Sequence, residues 1–450
     1  MFPVPFWSAP PGKVSCMNKP TPCSYLDSLN VNKMRFGLKA VQALLSRLGN
    51  PQKSYPAIII AGTNGKGSTA AMTASILSSA GYNVGLYTSP HLVDVRERIM
   101  VNGKKISRKD FNRTIEQVKE EVTQPVTYFE FLTAAAFVYF RNRKIDIAVL
   151  EVGLGGRLDA TNVCTPLVSV VTNIHYDHTA YLGNTLESIT REKTGIVKPG
   201  GICLTAAKQK IVLKVMEEIC LKRRAILYRF GRDIKIKKQQ NGLLTYQGFS
   251  RNLKNIEMPL RGEHQTFNSA LALATVELCA RRGFSVDEEA MLAGLKKTHW
   301  EARMEILQER PLFLLDGAHN PAGIDSLCRA LKKDFSGRRL ILIFAALADK
   351  DYHMMLKRII PLAHTVILTS LKTVRVAPME DMIKTAKKRG SVPVIAETVP
   401  QAMEIALAMA GDQDLVCATG SFYLAGEIKE TFPKLFFYGN KKPLRQHYCS

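Results

Sequence analysis

The sequence predicts a two-domain α/β protein, a phosphate-loop domain followed by a smaller Rossmann-like unit. Three observations predict it. The apolar run AIIIA at 57–61 leads through the glycine-rich segment GTNGKGS at 62–68 into a helix-forming stretch. Beyond Trp300, strand-like runs at 312–315, 340–344, 365–369, 392–395 and 415–418 alternate with helix-like runs. Between these regions, from Thr298 to Met304, the periodicity breaks. The expected division is residues 1–20 as a loose, proline-rich extension, 21–299 as the first domain and 300–450 as the second. A chain of 450 residues exceeds one ordinary core, so more than one domain is expected.

Each element has its own reason. Residues 57–61 are uniformly apolar, as a strand buried on both faces requires. Lys66 to Ala80 is rich in helix formers, and Val84 to Thr88 reads as a short strand. Ser107 to Val122 is amphipathic, with Ser107 and Asp110 placed to cap it. Phe129 to Arg143 reads as a second helix. Ile145 to Val152 is a buried strand that carries Glu151 near its end. Val168 to Thr172 is another strand, with His175, Asp177 and His178 just beyond it. Polar groups after the carboxyl ends of parallel strands are where open α/β sheets bind ligands. Residues 230–260 read as a polar, β-rich excursion, and Asn268 to Arg282 as a strong helix.

Composition narrows the function classes. Hydrophobic residues make up 46% of the chain, yet no apolar run approaches the roughly 20 residues that span a bilayer. A soluble, cytoplasmic protein with no membrane partner is expected. The formal charge of +23 suits anionic ligands. No dense Lys/Arg tract is present, and KRR at 222–224 and AKKR at 386–389 are short, so nucleic acid is not expected as a partner. Nine dispersed cysteines with no CxxC pair point to reduced thiols and no zinc site. The first twenty residues lack the apolar core of a secretory signal, and Met17 is an alternative start.

The segment 61–69 is the strongest chemical signal. Its glycines let backbone N–H groups approach phosphate oxygens, the helix start adds positive potential, and Lys66 can neutralise the β and γ phosphates. Thr63, Asn64, Gly65, Lys66, Gly67 and Ser68 are the nucleotide-binding candidates. The loop departs from GxxxxGK[ST] twice. Ile60 stands at the first glycine position, and Gly67 displaces Ser68 from the usual metal-binding place.

Further motifs follow in order: YTSPHL at 87–92, TYFEF at 127–131, EVGLGGRLDATN at 151–162, His178, EKTGIV at 192–197, LDGAHNP at 315–321 and TGSFY at 419–423. Together with GTNGKGS they resemble folylpolyglutamate and dihydrofolate synthases, relatives of the Mur cell-wall ligases, from about Tyr25 to Glu427. The LDATN form with TYFE is most similar to the bacterial bifunctional type. The resemblance implies a Mur-ligase-like central ATPase domain and a C-terminal glutamate ligase domain. It implies an ATP- and Mg²⁺-dependent ligase that joins L-glutamate to dihydropteroate and to the γ-carboxyl of reduced folates through an acyl phosphate.

The resemblance also implies roles for single residues. Ser89 and Glu151 would hold one magnesium, and His178 would help hold a second. Lys193 would be carbamylated beside that second metal. Lys66, His178 and Lys193 form the catalytic set, with K⁺ as a further cofactor. Asn268, Arg303, Asp316 and His319 would surround ATP, Arg303 at the hinge and Asp316 toward the ribose. The pterin would lie among the segment RFGL at 35–38, Tyr128, Phe129, Glu130, Arg157 and Asp159. The family implies a monomer. From the residues alone, Tyr128 and Phe129 read equally well as core aromatics, Asp316-Gly317 as a turn and His175 as structural. A Mur-type ligase of cell-wall precursors and a nucleotide-dependent switch remain the alternative functions.

Overall fold

In the computed structural model, residues 25, 26, 28, 29, 37–258 and 260–437 are described. The extension 1–20 and Arg35 and Phe36 of the pterin candidates lie outside them. The first sheet has eight strands in the order β4-β3-β2-β5-β1-β6-β7-β8. These are β1 (Ala57–Ala61), β2 (Val84–Tyr87), β3 (Ile99–Val101), β4 (Lys104–Lys105), β5 (Ile147–Glu151), β6 (Pro166–Val171), β7 (Ile202–Thr205) and β8 (Ile226–Arg229). All neighbours pair in parallel except β2–β3 and β3–β4. A small antiparallel sheet of β9 (Lys235–Lys238), β10 (Leu244–Gln247) and β11 (Asn252–Ile256) forms the polar excursion.

The second sheet has the order β12-β13-β17-β14-β15-β16. It contains β12 (Glu305–Glu309), β13 (Leu312–Leu315), β14 (Leu340–Phe344), β15 (Thr365–Thr369), β16 (Val394–Ala396) and β17 (Leu415–Thr419). Only β12 runs antiparallel to its neighbour.

Strand β1 lies between β5 and β6 with every residue buried. Successive side chains feed opposite cores, Ala57 and Ile59 one face, Ile58 and Ile60 the other. The helix Lys66–Ser79 that follows is itself buried against Asn268-bearing helix His264–Ala280 and against Glu288–Lys297. That contact explains its missing amphipathic stripe. The carboxyl ends of β1, β2, β5 and β6 gather the glycine-rich loop, Ser89, Glu151 and the 172–178 segment. The carboxyl ends of β13, β14 and β17 face them across one cleft.

The linker carries Ala302 and Met304, both buried and both at positive φ, 52° and 50°. Such backbone costs about 1–3 kcal/mol per residue and must be held by its surroundings. Asp316 holds it: one carboxylate oxygen accepts from Met304 N at 3.0 Å, the other from Ala318 N at 3.0 Å.

Candidate active site

The glycine-rich loop is fixed to the end of β6. Thr63 N donates to Asn173 O at 2.9 Å and Asn64 N to Asn173 Oδ1 at 3.0 Å. Thr172 Oγ1 and Asn173 Nδ2 donate back to Asn64 O, at 2.7 and 2.9 Å. His175 takes part only through its backbone, which exchanges hydrogen bonds with the Thr63 hydroxyl. Gly65 is at φ +83°, and a Cβ there would meet Asn268 Oδ1 at 2.4 Å. Asn268 in turn donates to Gln265, whose amide reaches Ser68 Oγ. The loop therefore presents Lys66 at a helix start, with its Nζ on the carbonyls of Gly62 and Thr63 at 3.2 and 3.1 Å. Burial lowers the Lys66 pKa, while Glu151 and Asp177 pull it back up. A half-buried cation at a helix N-terminus is a site for a phosphate.

Glu151 is buried beside this lysine, and Ser89 N donates to its Oε2 at 3.1 Å. Burial raises its pKa and Lys66 opposes the rise. Ser89 follows β2 and Glu151 ends β5, so two adjacent parallel strands deliver the pair together. His178 lies at φ 50° beyond β6, and its backbone N donates to Asp177 Oδ1 at 2.9 Å. Burial pushes its imidazole down to about 4, leaving neutral ring nitrogens. Lys193 is buried and donates to Gly62 O at 3.0 Å. Burial, then the neighbouring Lys66, pushes its amine down to about 7.

The second domain closes over these groups through Asp177. Asn320 exchanges amide hydrogen bonds with Asn64, at 3.1 and 2.9 Å, and donates to Asp177 Oδ2 at 3.0 Å. Lys350, beyond β14, donates to Asp177 Oδ1 at 2.7 Å and approaches His178 Nε2 at 3.1 Å. Burial would raise Asp177, but Lys350, His178 and His319 outweigh it and hold the carboxyl well below the usual range. His319 rests on the Phe422 ring, 5.0 Å between centroids, and Arg303 lies over the same ring at 4.7 Å.

Seventeen of the singly named sequence candidates line this cleft of about 620 Å³: Thr63, Asn64, Gly65, Lys66, Gly67, Ser68, Ser89, Phe129, Glu130, Glu151, Asp159, His178, Lys193, Asn268, Arg303, Asp316 and His319. Asp159 organises the loop it sits in, accepting from Gly153 N, Leu154 N and Thr161 N, each at 3.0 Å. Glu130 caps its own helix by accepting from Thr127 N at 2.8 Å, and its Oε1 is buried with no partner. Tyr128 and Arg157 are not among the lining residues. Arg157 instead pairs with Glu192 at 2.9 Å on the surface. Sequence reasoning missed Lys350, Asn320 as an interdomain bridge, Gln265, Phe422 and Arg98. Lys350 and Asn320 follow strand ends, the position that could have flagged them.

Residues 60–276 match the Mur ligase middle domain family, and residues 302–422 the Mur ligase glutamate ligase domain family. The chain is 36% identical over 417 residues to the dihydrofolate synthase/folylpolyglutamate synthase of Bacillus subtilis, covering 88% of this chain and 96% of that one. It is 35% identical over 407 residues to the folylpolyglutamate synthase of Lacticaseibacillus casei, covering 87% and 94%. Among solved structures, E. coli FolC in complex with DHPP and ADP aligns with a TM-score of 0.86 at 31% identity, over 93% of this chain and 98% of that one. Mycobacterium tuberculosis folylpolyglutamate synthase complexed with ADP aligns at 0.85 and 32%, over 91% and 96%. No helix among the described residues is long and apolar enough to cross a membrane. By sequence, by fold and by both of its domains, this chain belongs to the folylpolyglutamate synthase/dihydrofolate synthase family of ATP-dependent glutamate ligases.

Proposed function

We propose that the protein joins L-glutamate to dihydropteroate and to the γ-carboxyl of reduced folates, with ATP as the energy source, through an acyl phosphate. The observation that carries the reading is Lys66, half-buried at a helix start within a loop that faces a second domain across the cleft. A carboxylate is a poor electrophile because oxide would have to leave. Transfer of the terminal phosphoryl group of ATP to a carboxylate oxygen gives an acyl phosphate and ADP. The glutamate amine then attacks the carbonyl carbon, the bond to the phosphate oxygen breaks, and the amine loses a proton.

In this scheme Lys66 neutralises the triphosphate, and the loop N–H groups orient it. Asn268, Arg303, Asp316 and His319 serve the nucleotide end. The Asp177-centred bridges bring the second domain down, excluding water that would hydrolyse the acyl phosphate. The buried, unpartnered Glu130 Oε1 suits an N–H donor of a pterin. Glu151, buried with a single backbone donor, and the neutral His178 fit hard divalent cations. Ser89 and Glu151 would hold one magnesium and His178 the other, supplying charge neutralisation for the phosphates. A Lys193 amine near neutrality suits reaction with CO₂, which would turn it into a carbamate and release a proton.

ADP release measured with each acceptor, with and without L-glutamate, tests the reading. Glutamate-dependent ADP release with dihydropteroate or a reduced folate is expected. ADP release that ignores glutamate, or that needs a UDP-linked acid, overturns it.

A further inference from the structure

Arg98 forms no ion pair among the described residues, although its charge reaches Glu151. It is 8% exposed, in the turn just before β3, and its carbonyl accepts from Thr88 N at 3.0 Å, one residue before Ser89. Its side chain lines the cleft that holds Glu151 and Lys66. Nε donates to His91 Nδ1 at 2.9 Å, and the guanidinium lies 5.6 Å from the Tyr128 ring centroid. Neither contact neutralises the charge. Among the described residues its one side-chain hydrogen bond is that Nε donation, which leaves both terminal nitrogens without a partner. A buried guanidinium left unpaired is costly, so such a group is kept where an anion arrives.

We propose that Arg98 binds the acceptor's reacting carboxylate through its terminal nitrogens, between Ser89 and the phosphate loop. This rests on the ligase reading above and names the residue that holds the acid. The chemistry fits the class of ligand. A planar guanidinium offers parallel N–H donors that match a carboxylate in a way that a lysine does not. With Nε fixed on His91, the terminal nitrogens are left for that ligand. His91 Nδ1 can only accept there, because the arginine Nε–H can only donate. The coupling orients the fork before the acid arrives. Tyr128 acquires a role as well: although it does not line the cleft, its ring backs the guanidinium and limits its swing.

The test is direct binding of dihydropteroate and of its carboxamide to the ADP-saturated protein, followed by fluorescence titration. The native protein should prefer the acid by roughly 10–100-fold, the scale of charge-assisted hydrogen bonds. Arg98→Gln should bring that ratio close to one by weakening the acid alone, with carboxamide and ADP affinities changed less than about twofold. Arg98→Lys keeps a charge in the same place and guards against a folding defect. It should keep part of the preference. An acid-to-amide ratio unchanged in either variant overturns the proposal, as does a loss of ADP affinity, which would place Arg98 on the nucleotide. Native protein that binds neither ligand removes the acceptor assignment itself. Native protein that binds both equally removes only Arg98.

Discussion

Lys66 and Lys193 donate to the same atom, the carbonyl oxygen of Gly62, at 3.2 and 3.0 Å. A buried and a half-buried ammonium group on one acceptor repel each other at the phosphate loop. An arriving triphosphate relieves that repulsion. So does neutralisation of Lys193, whose pKa already lies at about 7.

The depressed Lys193 pKa has a defined effect on stability. In the unfolded chain the amine titrates near its ordinary 10.5. Below pH 7 both states carry the proton, and the folded state bears the full cost of a buried charge. As pH rises from about 7 toward about 10.5, the folded protein releases the proton first and that cost fades. Lys193→Met should therefore raise the melting temperature, relative to the native protein, more at pH 6 than at pH 9. Equal differences at both pH values would show that Lys193 is not buried as a charge. In ¹³C-bicarbonate, a carbamate resonance should be present in the native protein and absent from this variant.

Gly65 leaves room for Asn268 Oδ1, which a Cβ would meet at 2.4 Å, and it sits at positive φ. Gly65→Ala should lower ATP affinity at least about tenfold, because loop and helix must separate to admit the methyl group. Gly81, also at positive φ but with nothing near a Cβ, is the control. Gly81→Ala should cost stability of roughly 1 kcal/mol and leave ATP affinity alone. Calorimetric titration of both variants checks this.

Asp177 and Lys350 join the two domains, each side chain only 6% exposed. Lys350→Met leaves a buried carboxylate without its cation and should destabilise by about 3–5 kcal/mol in denaturant melts. Adding Asp177→Asn should recover much of that loss. Two losses that simply add would mean that the pair does not interact.

The last helix among the described residues, Phe422–Phe437, touches the first domain where a Cβ on Gly426 would lie 2.1 Å from Leu92 O. Gly426→Val should hold the cleft ajar, so nucleotide affinity survives while turnover falls by roughly 100-fold. Steady-state turnover beside ADP titration separates those effects.

Much of this architecture was legible because strand burial leaves a plain mark. AIIIA at 57–61 and LILIF at 340–344 are apolar throughout, TVILT at 365–369 is apolar at its centre, and all three became central strands. The run at 392–395 appears two residues later and shorter, as β16 at the sheet edge, where half-exposed positions blur the pattern. The helix expected from Asn268 begins at His264, because its polar first turn carries no apolar periodicity. Strands β3, β4, β7, β8 and β12 went unread. They are short, two to five residues each, too few for a period-2 pattern to stand out. Within the site, the loop, Glu151 and His178 stood in motifs. Lys350 and Arg98 did not, since burial without an ion pair or across a domain gap exists only once the chain has folded.

The central claim is that the triphosphate held by the Lys66 loop gives its terminal phosphoryl group to an organic acid. Dihydropteroate carrying ¹⁸O in its carboxylate, turned over with ATP and L-glutamate, tests it directly by mass analysis of the inorganic phosphate. One labelled oxygen should appear in each phosphate released with the native protein, and Lys66→Ala should produce almost none. Unlabelled phosphate formed alongside the amide product would contradict the account.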